Sequence, residues 1–180
     1  KDSQYKEKEI YKGPIFTLVQ RMMPIHGKEY QRDVLLNQGA VSMLVLKDDK
    51  ILLVKQYRCG IEMDTLELPA GKLEYGENPL ECAIRELNEE TGLQSDEFVF
   101  IQKMAPIPAY GQEIVYIYEA KDVYEANERF AMDEDEDLEL YWIPLNDAYE
   151  MTLNGQIIDS KTVIAIQHAV IQKYRKGDAE

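Results

Sequence analysis

Residues 71–93 constrain the fold of this chain more than any other stretch. Asn78 is a good N-cap, Pro79 suits the first position of a helix, and Gly92 favours a helix end. These three residues predict a helix over about residues 79–91, with a loop in front of it. One apolar face of that helix is expected to be buried, made of Leu80, Ala83, Ile84, Leu87 and Thr91.

Three glutamates lie together on an adjacent arc of the predicted helix. Glu86, Glu89 and Glu90 are spaced so that like charges destabilise a helix by roughly 0.2–0.5 kcal/mol per pair. A divalent cation would remove that repulsion, and carboxylates prefer hard ions such as Mg²⁺ and Mn²⁺. Taken alone, the three glutamates are more typical of a solvated acidic face than of a metal site.

The fixed residues around these glutamates resemble the signature of the Nudix hydrolases. Every fixed position is matched, by Gly71, Glu77, Arg85, Glu86, Leu87, Glu89, Glu90, Gly92 and Leu93. The resemblance implies a loop–helix–loop that binds Mg²⁺, with Mn²⁺ as an alternative, and hydrolyses a nucleoside diphosphate linked to another group. It also implies that the three glutamates are metal ligands. Gly71, Glu77 and Arg85 would then fix the loop on the helix, as outer residues often do at metal sites.

Residues before the signature resemble one branch of the family, the ADP-ribose pyrophosphatases. Arg58 follows a glutamine and an aromatic residue at the end of a predicted strand. In that branch this arginine contacts the substrate's phosphates, whereas a surface arginine is the alternative. Residues 67–71 read ELPAG, another mark of the branch, in which the alanine's backbone carbonyl is a metal ligand. Ala70 is the counterpart of that alanine.

A loop after the signature supplies further candidates. The related enzymes carry a proline-serine-proline-glycine run followed by a spacer and an acid. Residues 106–113 keep both prolines, Tyr110 and Glu113, but Ile107 and Ala109 replace the serine and the glycine. The resemblance therefore implies Tyr110 and Gly111 as substrate contacts and Glu113 as a catalytic candidate.

The acidic run at residues 130–137 is ordinarily a solvated loop. In the ADP-ribose branch this loop supplies a glutamate that positions the attacking water, and Glu134 or Glu136 matches it. A carboxylate bound to Mg²⁺ is a poor proton acceptor, so the general base is expected outside the signature helix. We favour the acidic run over Glu113, because crowded carboxylates hold protons more readily and Glu113 is expected to begin a strand.

Hairpin-like strand patterns dominate the rest of the chain, rather than repeated β-α-β units. Strands are predicted at residues 15–23, 30–36, 40–46, 50–57, 98–103, 113–120 and 138–143, and helices at 144–153 and 159–176. The first eight residues are polar and expected to fray. The fold class expected is α+β, a mixed sheet flanked by helices as in the Nudix α/β/α sandwich, with an N-terminal antiparallel β-hairpin sheet.

The N-terminal hairpin divides the chain into a segment at residues 1–37 and a Nudix domain at residues 38–180. A lone hairpin is marginal in water and needs a packing partner. In the members that act on ADP-ribose a similar sheet forms the dimer interface, which implies a homodimer here. An extra layer on a monomer is the alternative. Arg32, in this hairpin, is a further candidate for substrate binding.

The overall charge and composition narrow the choice of partners. A net charge of −14 argues against non-specific nucleic-acid binding, which needs a basic surface. No apolar run is long enough for a membrane span and no signal peptide is visible, so a cytoplasmic protein is expected. The two cysteines are too few for a disulfide framework, and Cys82 is expected to be buried.

The implied reaction is Mg²⁺-dependent hydrolysis of the diphosphate in a nucleoside diphosphate sugar. ADP-ribose, cleaved to AMP and ribose 5-phosphate, is the first candidate. Other nucleotide sugars such as GDP-mannose follow, and then oxidised nucleotides or dinucleoside polyphosphates. A module that senses ADP-ribose without cleaving it is the alternative of a different class, but sensors tend to lose the metal-binding glutamates that this chain retains.

Overall fold

The computed structural model of the chain describes residues 3–131 and 138–177. In chain order the elements are β1 (Glu7–Lys12), β2 (Thr17–Ile25), β3 (Lys28–Leu36), β4 (Ala40–Lys47), β5 (Lys50–Arg58), β6 (Met63–Glu67), β7 (Ala70–Lys72), α1 (Pro79–Thr91), β8 (Leu93–Gln94), β9 (Glu97–Met104), β10 (Val115–Lys121), β11 (Tyr124–Glu125), β12 (Glu139–Pro144), α2 (Leu145–Leu153) and α3 (Ser160–Gly177).

The N-terminal strands form an antiparallel sheet of their own, in the order β1-β2-β3. β2 and β3 pair from Thr17 opposite Leu36 to Ile25 opposite Lys28. His26 and Gly27 make the turn, both at positive φ (49° and 77°), as tight hairpin turns between twisted strands require. The predicted hairpin is therefore present, within a sheet of three strands.

The expectation that the first eight residues fray is wrong from Glu7 onward. β1 begins there and pairs with β2, Glu7 lying opposite Arg21. A hydrogen-bonded ion pair of 2.6 Å between the Glu7 carboxylate and the Arg21 guanidinium supports the pairing. Every residue of β1 is exposed. Because neither face of the strand is buried, its sequence EKEIYK lacks the alternation of apolar and polar residues that predicts a strand.

The central sheet is mixed and runs in the order β12-β5-β4-β10-β9, with β6 added to β5 and β7 added to β4. β10 is parallel to β4, and the other pairs are antiparallel. Successive residues of β4 alternate between the two faces of the sheet. Leu44 belongs to the cluster that includes Leu145 of α2 and Ile166 of α3, whereas Met43 belongs to the cluster that includes Leu87 of α1. Helices thus cover both faces, which confirms the α+β sandwich.

Helix α1 has the predicted bounds. The Asn78 side chain accepts a hydrogen bond from the Leu80 N–H at 2.9 Å, and Gly92 ends the helix at a φ of 70°. The predicted buried face is partly wrong, because Leu80 and Ile84 are 38% and 45% exposed. The helix instead turns two of its glutamates inward together with the buried thiol of Cys82, whose predicted burial is confirmed.

The remaining predicted elements are present with shifted ends. β10 begins at Val115, so Glu113 precedes the strand instead of opening it. The Asp159 carboxylate accepts from the Thr162 N–H at 3.1 Å and caps α3. In the part of the chain that the structure describes, none of the helices has the length and apolar content that crossing a bilayer requires.

Candidate active site

The loop–helix junction of β7 and α1 packs so closely that it excludes a side chain. A Cβ built on Gly71 would lie 1.7 Å from the Glu86 Cδ and 2.1 Å from its Oε1. Glu86 is 8% exposed. Glycine at position 71 therefore lets the Glu86 carboxylate lie directly against the backbone of β7.

Glu90, one helical turn beyond Glu86, reaches the same strand. Its Oε2 accepts a hydrogen bond from the Ala70 N–H at 2.9 Å, and Glu90 is 3% exposed. β7 is itself held on β4, where Ala70 pairs with Ser42 and Gly71 with Val41. Two buried carboxylates therefore converge on two adjacent backbone units of β7.

Arg85 links the loop to the signature glutamates. Its Nε and Nη2 donate to the two carboxylate oxygens of Glu77 at 3.0 and 3.1 Å. Its Nη1 donates to Glu86 Oε1 at 2.7 Å and to Glu89 Oε2 at 2.8 Å. The hydrogen bond to Arg85 lowers the pKa of the Glu77 carboxyl, and the hydrogen bond to Glu77 raises the pKa of Arg85. This guanidinium offsets part of the repulsion among the glutamates.

The oxygen donors at this junction fit a hard divalent cation. Across residues 3–131 and 138–177, no three His, Cys, Asp or Glu side chains converge closely enough to enclose an ion by themselves. Arg85 holds Glu86 and Glu89 in ion pairs there. The buried carboxylates of Glu86 and Glu90, with Glu89 beside them and backbone carbonyls in β7, nevertheless supply the oxygen ligands that Mg²⁺ and Mn²⁺ accept. A bound cation would replace ion pairs to Arg85 with metal–oxygen bonds.

Arg58 lies at the end of β5, in the wall of a cavity of about 600 Å³. Its Nε and Nη2 donate to the two oxygens of Glu67 at 2.6 and 2.7 Å. This hydrogen bonding to Glu67 raises the pKa of Arg58 against the effect of burial, and the charges of Asp159 and Glu90 add to it. Arg58 is therefore fastened to the end of β6, directly before the strand on which Glu86 and Glu90 converge.

The other predicted contacts lie on elements other than β7 and α1. Arg32 is exposed on β3, where its guanidinium stacks 5.7 Å from the Tyr30 ring centre. Tyr110 is 50% exposed, and its carbonyl accepts from the Leu35 N–H at 2.7 Å, while Gly111 forms an isolated bridge with Leu35. Glu113 is half-buried in the segment before β10. The candidates Glu134 and Glu136 lie outside the described residues.

Sequence reasoning missed three residues next to the site. Glu67 stands in the ELPAG run, and Lys161 stands in the run at residues 158–162 that also resembles the branch, so both had a signal. Asn88, 1% exposed, had none. Its amide donates to the Glu128 carbonyl at 3.0 Å and accepts from the Phe130 N–H at 2.7 Å, which fastens the segment preceding the acidic run to α1.

The chain is similar to known proteins over most of its length. Residues 36–165 match the family model described as the NUDIX domain. The methanol dehydrogenase activator of Bacillus methanolicus is 35% identical over 173 residues, covering 95% of this chain and 94% of that protein. The ADP-ribose pyrophosphatase of Bacillus subtilis (strain 168) is 34% identical over 169 residues, covering 93% and 91% respectively.

A solved structure supports the fold over nearly the whole chain. The crystal structure of an ADP compounds hydrolase superposes with a TM-score of 0.81 at 23% identity, covering 98% of this chain and 96% of that one. The family model spans well over half of the sequence and includes the complete signature. The chain therefore belongs to the Nudix family, in its ADP-ribose pyrophosphatase-like branch, and is a pyrophosphohydrolase that acts on nucleoside diphosphate-linked compounds.

Proposed function

We propose that the chain hydrolyses the diphosphate of a nucleoside diphosphate sugar in the presence of Mg²⁺ or Mn²⁺. ADP-ribose is the first candidate, with AMP and ribose 5-phosphate as products. The observation that carries the proposal is the convergence of buried Glu86 and Glu90 on β7, with Arg58 bound to Glu67 just before that strand. The similarity to an ADP-ribose pyrophosphatase over nearly the whole chain supports the choice of substrate.

The residues divide the chemistry between them. Glu86, Glu89, Glu90 and the Ala70 carbonyl would hold the cation, which supplies charge neutralisation and polarisation of a phosphoryl group. Arg58 donates hydrogen bonds to a phosphate oxygen. A carboxylate of the acidic run takes a proton from water while the water oxygen forms a bond to one phosphorus and the bridging P–O bond breaks. Since the net charge is −14, an anionic substrate depends on such local positive charge.

A substrate panel tests the proposal. ADP-ribose, GDP-mannose and other nucleotide sugars, oxidised nucleotides and dinucleoside polyphosphates are incubated with Mg²⁺, with Mn²⁺ or with EDTA. Cation is then restored in excess over EDTA and a phosphatase is added, which releases phosphate from monoester products but not from an intact nucleotide sugar. Products of the oxidised nucleotides are separated by chromatography instead. We expect phosphate from ADP-ribose with either cation and none with EDTA. Tight ADP-ribose binding without cleavage of any compound would favour the sensing module instead.

We expect the general base to come from the acidic run. Glu134→Gln or Glu136→Gln should slow turnover strongly, by about 100-fold, the lower end of what a general base contributes. The metal affinity should stay unchanged, and the lower limb of the pH–rate profile should disappear. Glu113→Gln is the comparison. If both single variants and the double variant keep normal turnover while Glu113→Gln abolishes it, the base is Glu113.

We expect residues 1–37 to mediate a homodimer, through the region at residues 15–36, with residues 38–180 as the Nudix domain. Large apolar side chains are exposed on the N-terminal strands and their connections, among them Ile10 (45%), Tyr11 (54%) and Ile15 (61%). Light scattering at micromolar concentration should give a dimer mass, and Ile15→Glu should shift it towards the monomer. Leu153→Glu, at a 60% exposed site on α2, is the control. A monomeric mass of the unmodified protein with full activity would refute the proposal.

The similarity to a methanol dehydrogenase activator gives a second candidate function, stimulation of a dehydrogenase. Methanol oxidation by a methanol dehydrogenase, measured with and without this protein, tests it. A Glu86→Gln variant in the same assay separates an effect that needs hydrolysis from one that needs only contact. A cytoplasmic location stays a prediction from the sequence.

A further inference from the structure

One buried carboxylate in the cavity wall, that of Glu67, binds two cationic side chains that are far apart in the sequence. Glu67 is 2% exposed. Its Oε1 accepts from Arg58 Nε at 2.6 Å and from the Thr65 hydroxyl at 2.6 Å. Its Oε2 accepts from Arg58 Nη2 at 2.7 Å and from Lys161 Nζ at 2.5 Å. These four hydrogen bonds use the full accepting capacity of a carboxylate, so Glu67 is held in a fixed orientation.

Lys161 brings the first turn of α3 into this wall. Its side chain is 13% exposed, and its Nζ lies 2.9 Å from Asp159 Oδ1 as well as against Glu67. The neighbouring Thr162 hydroxyl accepts from the Leu68 N–H at 2.9 Å. α3 is thereby fastened to the segment directly in front of β7, on which Glu86 and Glu90 converge.

The four charges of the wall balance, two cations against two carboxylates. Arg58 and Lys161 face Glu67 and Asp159. Burial alone would raise the pKa of Glu67, but hydrogen bonds from Arg58, Lys161 and Thr65 lower it to about 2, so the carboxylate stays charged. Without Lys161 the wall would carry a net negative charge close to Glu90 and would repel a phosphate.

Arg58 is left with one edge for a ligand. Its Nε and Nη2 are bound to Glu67, and within the described residues its Nη1 makes no hydrogen bond. The side chain is 43% exposed. A guanidinium fixed along one edge presents its remaining nitrogen in a set direction, which reduces the ordering cost of binding a phosphate.

We infer that Lys161 is a positioning residue for substrate binding. Its positive charge compensates the negative charge of Glu67. Glu67 can then orient Arg58 while the charge of Arg58 remains available to a phosphate of the nucleoside diphosphate. The inference rests on the proposed function, since it concerns the same substrate. Because such a contact forms in the ground state and persists in the transition state, it should govern KM more than kcat.

Lys161→Met tests the inference, with Lys173→Met as the matched control. Lys173 is also on α3 and is also ion-paired, although with a single carboxylate, that of Asp49 at 2.6 Å. With ADP-ribose as the probe, we expect Lys161→Met to raise KM about 10-fold and to change kcat less than about 3-fold. Calorimetry in EDTA, where no cation contributes, should show a similar loss of ADP-ribose affinity. Lys161→Arg should recover most of it, and Lys173→Met should match the unmodified protein.

Each outcome decides the role of Lys161. Unchanged KM and unchanged metal-free affinity in Lys161→Met would overturn the inference, and so would a lower kcat and melting temperature at constant KM, which mark a purely structural lysine. If Lys161→Met does not fold, Lys161→Gln takes its place and should raise KM likewise, because it keeps a hydrogen-bond donor for Glu67 but removes the charge that compensates it. If the unmodified protein cleaves no nucleotide sugar, the proposed function fails, while the metal-free binding comparison still judges Lys161.

Discussion

Glu86→Gln and Glu90→Gln are each expected to lower kcat at least about 100-fold while the fold survives, because each removes one carboxylate of the cation site. Glutamine has nearly the shape of glutamate, so the substitution removes the negative charge while the packing of residue 90 against Ala70 and of residue 86 against Gly71 is kept. Steady-state kinetics with ADP-ribose measures the loss. Calorimetric titration with Mg²⁺ or Mn²⁺ should show weaker binding in the same variants.

Glu81→Gln is the matched control for these two variants. Glu81 lies on the same helix, in its first turn, and is exposed. It should keep the turnover and the cation affinity of the unmodified protein. Near-normal turnover in purified, folded Glu86→Gln and Glu90→Gln would mean that the three glutamates form a solvated acidic face and no cation site.

Gly71→Ala is expected to have an effect of the same size, at least about 100-fold on kcat, although it removes no functional group. The added methyl would lie 1.7 Å from the Glu86 Cδ and 2.2 Å from its Cγ. Because these atoms belong to a flexible side chain, Glu86 is expected to swing away while the backbone remains in place. The melting temperature should therefore change by only about 5 °C or less, a small part of the total stability.

Gly155→Ala separates loss of the Glu86 position from general backbone strain. Its φ is +80° and a Cβ there meets nothing within 4 Å, so alanine costs only strain of about 1–2 kcal/mol. We expect lower stability and unchanged kcat. If Gly71→Ala behaves in the same way, the close approach of Gly71 to Glu86 has no part in turnover.

Local signals made helix α1 predictable, whereas tertiary contacts decided which side of it is buried. Asn78 and Gly92 act on their own helix ends, so the bounds follow from the sequence alone. Helical periodicity favoured burial of Leu80 and Ile84, but the helix faces β7 with its carboxylates, and those two side chains remain in solvent. A helix that buries carboxylates and exposes apolar side chains departs from the usual amphipathic pattern, and such departures are expected at functional sites.

The partners of Arg58 show a second limit. The sequence placed Arg58 in a motif of the branch, yet it could not show that Arg58 and Lys161 bind the same carboxylate. Glu67 and Lys161 are 94 residues apart and meet only because β6 and α3 are adjacent in the fold. Asn88 and Phe130, 42 residues apart, meet in the same way. Such long-range pairs depend on topology, which composition and periodicity leave open.

The bridge between Leu35 and Gly111 bears on whether the chain can be shortened. Leu35 donates to the Tyr110 carbonyl at 2.7 Å and accepts from the Gln112 N–H at 3.0 Å. The end of β3 therefore holds the loop at residues 107–112 in place through backbone hydrogen bonds. A chain trimmed to residues 38–180 would leave those polar groups to water and release the loop. Trimming is therefore expected to disturb this loop as well as any dimer, and single substitutions on the N-terminal sheet are the cleaner way to separate assembly from catalysis.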